Sequence, residues 1–184
     1  MNISPADYAH LLNRQGGMSE TAKRRNRRIG GRAAQRSGDA FEQAIVRCAA
    51  RSRVALVKLP KCGGRFIGPG KMVNEEIPCD FMGCVQGSGR AVFFDAKSSG
   101  KSGLDVVNEK LVKLHQKAFL RLGSEAGAIA GLLVSAAKAG KYLWLPGKVL
   151  LDFGGSVPWR HPAWLDMGEV GGAILWERLI QEGR

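Results

Sequence analysis

A mixed α/β domain, a central sheet flanked by helices, is the fold class this sequence predicts, and three observations predict it. Apolar residues recur at helical spacing in two segments, at Phe41, Ala44, Ile45 and Cys48 and again at Val107, Leu111, Leu114, Ala118 and Leu122. Short apolar runs stopped by Pro or Gly, such as Val54–Leu59 before Pro60, read instead as strands. The order of these segments is helix, strand, insertion, strand, strand, helix, strand, strand, helix. The chain has 184 residues, of which 45% are hydrophobic. That suffices for one core, assigned to residues 36–184, preceded by a basic and mobile arm over residues 1–35.

In chain order, Pro5–Asn13 has the spacing of a short amphipathic helix. The arm then carries Lys23, Arg24, Arg25, Arg27, Arg28 and Arg32, with Arg36 just beyond it, and almost no acidic residues. Ser37 reads as the N-cap of a helix running to about Ala50, with Asp39 in its first turn. After the Val54–Leu59 strand comes an irregular stretch, Lys61–Ile77, rich in Gly and basic residues, including Lys61, Arg65 and Lys71. A loop of this length within a compact domain is usually functional or disordered. The next stretch, Pro78 to Lys97, is two apolar strands joined through Gln86-Gly87-Ser88-Gly89, which is hairpin chemistry. Asp105 is expected to open a helix through Leu122, with Gly123 as its C-cap. Ala126–Ala136, small and apolar, reads as a buried strand under a helix. Tyr142–Leu145 and Val149–Phe153 read as further strands and Val157–Asp166 as a loop whose tryptophans pack on the core. Ala173–Gln181 reads as a closing helix.

The formal charge is +12 with a pI near 10.0, and the basic residues cluster. That combination points to a polyanionic partner, nucleic acid before an anionic membrane surface. No signal peptide or stretch long enough to span a bilayer is visible, so the expected setting is cytoplasmic. Cys48, Cys62, Cys79 and Cys84 show no Cys-x-x-Cys or zinc-finger spacing and read as structural thiols.

The chemistry concentrates in the predicted hairpin. Each strand carries an aspartate amid apolar residues, where a carboxylate is costly without a partner. Asp95 and Lys97, two apart on a strand, face the same way, and Asp80 comes alongside if the strands pair. Two carboxylates and a lysine on one sheet edge suit a hard divalent cation. Phosphodiester cleavage needs a positioned water, a cation and positive charge beside the phosphorane. Asp80 and Asp95 supply carboxylates for this, the Ala96 carbonyl a further oxygen, and Glu42 a candidate carboxylate from the neighbouring helix.

Pro-x-Asp80 followed by Asp95-Ala-Lys97 resembles the PD-(D/E)xK nuclease motif, with Cys79 inserted between Pro and Asp. More narrowly, six pieces in order resemble the RecU-type Holliday-junction resolvases of bacteria and phages. They are Arg36-Ser-Gly-Asp-Ala-Phe-Glu42, the strand ending at Pro60, Cys79-Asp80-Phe-Met-Gly83, Phe94-Asp95-Ala-Lys97-Ser98, His115-Gln116, and Tyr142-Leu-Trp-Leu-Pro146. The resemblance implies a restriction-endonuclease-like fold, Asp80, Asp95 and Glu42 at a Mg²⁺ site that also accepts Mn²⁺, Lys97 as catalytic lysine, and Gln116 as the helix glutamine accompanying it. It further implies that residues 61–77 form a stalk-like projection into the junction and that a homodimer cuts four-way junction DNA by paired nicks. Asp replaces the subgroup's more usual Glu at position 95, the stalk is short and glycine-rich, and nothing beyond Pro146 is covered. Two other readings stand beside this one: a repair or restriction-like endonuclease acting on linear or branched duplex, and a non-catalytic DNA-binding protein on a nuclease scaffold.

Overall fold

The computed structural model describes residues 20–60, 65–68, 71–73, 77–109 and 111–182. The chain divides into two compact units, Met1–Ser37 and Gly38–Arg184. Helix α1 is Glu20–Ala49. It begins well before Ser37, which therefore lies within a helix and not at its N-cap. The residues preceding Ser37 are mostly Lys, Arg, Ala and Gln, all good helix formers, and they carry the helix through Gly30-Gly31.

The second unit is built on a six-stranded mixed sheet. Its strands are β1 (Val54–Lys58), β4 (Phe81–Val85), β5 (Ala91–Ser99), β7 (Ile129–Ala136), β8 (Lys141–Pro146) and β10 (Leu165–Glu169), adjacent in that order. All neighbours are antiparallel except β5 and β7, which run parallel with Asp95 level with Leu132 and Lys97 with Val134. Two smaller ladders complete the strands. In one, β2 (Arg65–Gly68) pairs with β3 (Lys71–Val73); in the other, β6 (Gly103–Asp105) pairs with β9 (Ser156–Pro158). The insertion expected to be irregular thus contains an antiparallel hairpin. The remaining helices are α2 (Leu114–Glu125) and α3 (Trp176–Glu182).

Strand alternation sorts the core into two faces. Phe81, Phe94, Leu133 and Trp144 pack with Phe41 and Ile45 of α1 and with Trp176 and Leu179 of α3. Their strand neighbours Leu132, Val134, Leu143 and Leu145 point to the opposite face and pack with Leu120 of α2. Every residue of β7 is buried, as its small apolar composition predicts. Gly131 is required there, because a Cβ would stand 2.3 Å from the Leu145 carbonyl and 2.8 Å from the Trp144 ring.

Four expectations are corrected. Residues 105–109 and 111–113 are not helical: Asp105 closes the β6–β9 ladder, and Val106 and Val112, both fully buried, are six apart and share no helical face. Gly123 lies inside α2 against the Phe93 ring and not at its end. Gly127, at φ 88°, takes the left-handed cap position, with Ala128 N–H donating to Gly123 O at 2.9 Å and Gly127 N–H to Ser124 O at 3.1 Å. Val149–Phe153 is a 3₁₀ turn and bend, because Pro146-Gly147 ends β8 and the chain rounds a corner. The stretch read as a loop, 157–166, contains most of β9 and the start of β10. Its prolines sit at a strand end and in the connection, where no ladder hydrogen bond is lost.

Candidate active site

The β4–β5 hairpin pairs Phe81 with Phe94 and Cys84 with Ala91. Its turn uses Gly87 at φ 89° and Gly89 at φ 68°, conformations that favour glycine. This register sets Asp80, the residue before β4, level with Asp95. The Asp80 carbonyl accepts from Leu59 N–H at 2.8 Å, fixing its backbone against the chain leaving β1.

Where β4 stops, no described strand continues along that edge of β5, and the Asp80 side chain takes the place: its Oδ2 accepts from Ala96 N–H at 2.9 Å. A strand residue turns its N–H and C=O toward the same neighbour, so the Ala96 carbonyl faces that edge too. Asp95 is completely buried on the α2 face. Its Oδ1 accepts from Gln116 Nε2 at 3.0 Å, and its Oδ2 is ion-paired with Lys97 Nζ. Among the described residues that buried Oδ2 has no hydrogen-bond partner beyond the Lys97 ion pair.

Gln116 does two things. Its Oε1 accepts from Lys113 N–H at 3.2 Å, closing the first turn of α2, while its Nε2 holds the carboxylate. His115 beside it contacts the Ile77 carbonyl at 3.2 Å, tying the start of α2 to the segment that leads into Asp80. The sequence placed this histidine in the middle of a helix; it lies in the first turn.

Burial is the largest influence on Asp95 and raises its pKa from an ordinary 3.8 to about 7. Lys97 opposes the rise, and Asp80, within hydrogen-bonding reach, adds to it. Cys79, also buried, is pushed to about 11 first by burial and then by the charges of Asp95 and Asp80. Its thiol is 3.3 Å from the Phe81 carbonyl, and at that pKa it is a packing group and not a nucleophile. Two adjacent carboxylates, one sealed from water, call for a shared proton or a shared cation. Hard oxygen donors of this kind fit Mg²⁺ or Mn²⁺, which bind through one or two carboxylates and take remaining ligands from water and phosphate.

The structure therefore brings together Asp80, Asp95, Ala96, Lys97 and Gln116. Glu42 is ion-paired with Lys58, which is level with Phe81, the residue after Asp80, and both line a cavity of about 480 Å³ with Asp39, Gln43, Val46 and Arg47. Among the described residues no group of three His, Cys, Asp or Glu side chains is disposed to hold a metal ion. Of the expected DNA contacts, Arg36 is exposed on α1. Lys23, Arg24, Arg25, Arg27, Arg28 and Arg32 fall on α1, Arg65 on β2 and Lys71 on β3, with side chains outside the described set; Lys61 lies outside the described residues altogether. Lys58 as the partner of Glu42 was missed, and its only sequence signal is a cation at the end of a strand.

No protein-family model matches the chain, and no curated protein does. Among solved structures it is similar to the 1.6 Å structure of Archaeoglobus fulgidus Hjc, a Holliday junction resolvase from an archaeal hyperthermophile. The identity is 16%, the match covers 73% of this chain and 100% of that one, and the TM-score is 0.48. Among the described residues no helix is long and apolar enough to cross a membrane. The chemistry of the site rests on this chain's own residues.

Proposed function

We propose that the protein is a metal-dependent DNA endonuclease that resolves four-way junctions. The observation that carries the cleavage chemistry is the convergence of Asp80, buried Asp95 and Lys97 at the open edge of β5, with Gln116 fixing Asp95 from behind. Asp80, Asp95 and the Ala96 carbonyl would hold Mg²⁺ or Mn²⁺, with Glu42, ion-paired with Lys58, as the candidate carboxylate from α1. When bound, such a cation lowers the pKa of water and neutralises charge on the attacked phosphate.

The chain's own groups do the rest. Gln116 orients the Asp95 carboxylate so that Oδ2, not Oδ1, is turned toward Lys97. Lys97, whose ammonium is ion-paired with Asp95 Oδ2, is the group placed to donate to the water or to the phosphorane oxygen. Burial of Asp95 excludes bulk water and strengthens each of these interactions. The junction preference rests on the motif resemblance, on the Lys61–Ile77 insertion read as a stalk, and on the basic residues of the N-terminal arm as phosphate contacts. Two-fold-symmetric cutting of opposed strands calls for a homodimer.

The test is a labelled synthetic four-way junction beside a linear duplex of the same sequence, each with Mg²⁺ or with EDTA. Symmetric nicks in the junction alone, abolished by EDTA, are the expected result. Equal cutting of both substrates refutes junction resolution, and binding without cutting refutes the nuclease reading.

A further inference from the structure

The C-terminal ends of the parallel pair β5 and β7 lead into a basic groove that neither the motif nor the carboxylate site accounts for. It holds about 610 Å³ and is lined by Ser102, Lys138, Lys141, Pro158, Trp159 and Arg160, and no acidic side chain lines it among the described residues. Lys138 and Arg160 are exposed and have no ion-pair partner among the described residues. Lys141 is paired with Asp166, outside the lining.

The walls are rigid. Trp159 Nε1 donates to Lys101 O at 2.7 Å and Trp159 N–H to Ser102 O at 3.3 Å, while the ring meets Trp164 edge-on with centroids 5.3 Å apart. Trp164 is buried and anchors the pair in the core. The indole N–H of Trp159 is thus spent within the protein, and only apolar ring is left to meet a ligand. The β6–β9 ladder holds both sides together, and Gly103 permits its close approach, since a Cβ would stand 2.7 Å from Val157 O.

Position relates the groove to the active site. Ser99 is level with Ala136, which is also level with Lys141 of β8, and Lys138 follows two residues on. Lys97 is two residues behind Ser99, about 7 Å along the strand. Ligands of open α/β sheets lie beyond the carboxyl ends of such strands.

We infer that this groove holds the DNA backbone next to the phosphate that is cut, with Lys138 and Arg160 on successive phosphates and the Trp159 ring against the intervening sugar or base. Exposed cations and an aromatic wall, with no carboxylate lining them among the described residues, form the combination that tracks a nucleic-acid strand. The inference rests on the nuclease reading for the position of the cut, but the binding it describes does not require cutting.

The experiment measures affinity for the four-way junction in EDTA as a function of salt, for the full chain and for Lys138→Ala/Arg160→Ala. Nicking with Mg²⁺ is followed in parallel. Each lost phosphate contact lowers the log–log salt slope by about 0.9, so the double variant is expected to lose about 1.8. The charge-preserving Lys138→Arg/Arg160→Lys variant keeps the full slope, which separates a phosphate contact from a folding defect. An unchanged slope in the double alanine variant overturns the groove even if the wild type nicks junctions. A reduced slope in a protein that never nicks sustains the groove and overturns the nuclease reading. Absence of DNA binding by the wild type overturns both.

Discussion

Replacing Asp95 with Asn tests the burial of that carboxylate independently of any DNA. The pKa rises from 3.8 to about 7, chiefly through burial. A tenfold change in acidity corresponds to about 1.4 kcal/mol, so ionising this group inside the fold costs on the order of 4 kcal/mol. Between those two values the folded protein binds the proton and the unfolded chain does not. Stability is therefore full below about pH 4, falls as the pH rises to about 7, and is level above that. The amide of the Asp95→Asn variant keeps an acceptor for Gln116 Nε2 and has no proton to lose, so the variant lacks this slope. The assay is urea unfolding of both proteins in EDTA at half-unit steps from pH 4 to pH 8. The other titrating groups are common to both, and the difference between the curves isolates residue 95. The variant should gain on the wild type by several kcal/mol across that range, and Mg²⁺ at pH 8 should stabilise the wild type preferentially. Parallel curves, or a wild type that gains on the variant as pH rises, would refute the burial argument.

Two further outcomes follow from the geometry. Gln116→Leu removes the donor to Asp95 Oδ1. It should lower kcat for nicking by about 10- to 100-fold, the rate equivalent of a buried hydrogen bond of about 1–3 kcal/mol, with KM for DNA little changed. The pH at which activity rises should also move upward, since the lost bond favoured the charged form; a raised KM with unchanged kcat would contradict the positioning role. Gly131→Ala forces a Cβ toward Leu145 O and the Trp144 ring. Overpacking of this kind costs about 1–3 kcal/mol, and an unchanged urea midpoint would show that β7 and β8 can separate more easily than their register suggests.

How much was legible in the sequence follows the range of the interactions involved. The meeting of Asp80, Asp95 and Lys97 depends on strand alternation and a glycine turn, both local, and both are visible in Pro78–Lys97. The two helix–sheet core faces follow from the periodicity of Phe41–Cys48 and the apolar runs. The start of α2 was not legible, because Asp105, expected to open the helix, is held instead in a ladder with Ser156, some fifty residues away in sequence. Gly123 and Gly127 are four apart and equally good caps on paper; the Phe93 ring, a tertiary neighbour, occupies the space of a side chain at the first. Gln116 as partner of Asp95 came only through the motif resemblance, since nothing in a helix sequence says which strand it covers. Trp159 packs against the core as expected, and its hydrogen bond to Lys101 O and the basic side chains beside it also make it part of a groove assembled from segments far apart in sequence.

The most direct test of the central claim compares wild type with Asp80→Asn on a labelled four-way junction in Mg²⁺, reading nicking and binding on the same samples. The amide oxygen of that variant can still accept from Ala96 N–H, so the open edge of β5 stays capped while the charge shared with Asp95 is lost. Nicking should fall by at least about a thousandfold, with the several kcal/mol of charge stabilisation that a bound cation supplies. Junction affinity should be unchanged or tighter, because a carboxylate facing phosphate has been removed. Nicking retained at wild-type rate, or affinity lost in step with nicking, would contradict the assignment of Asp80 and Asp95 as the cation site of a nuclease.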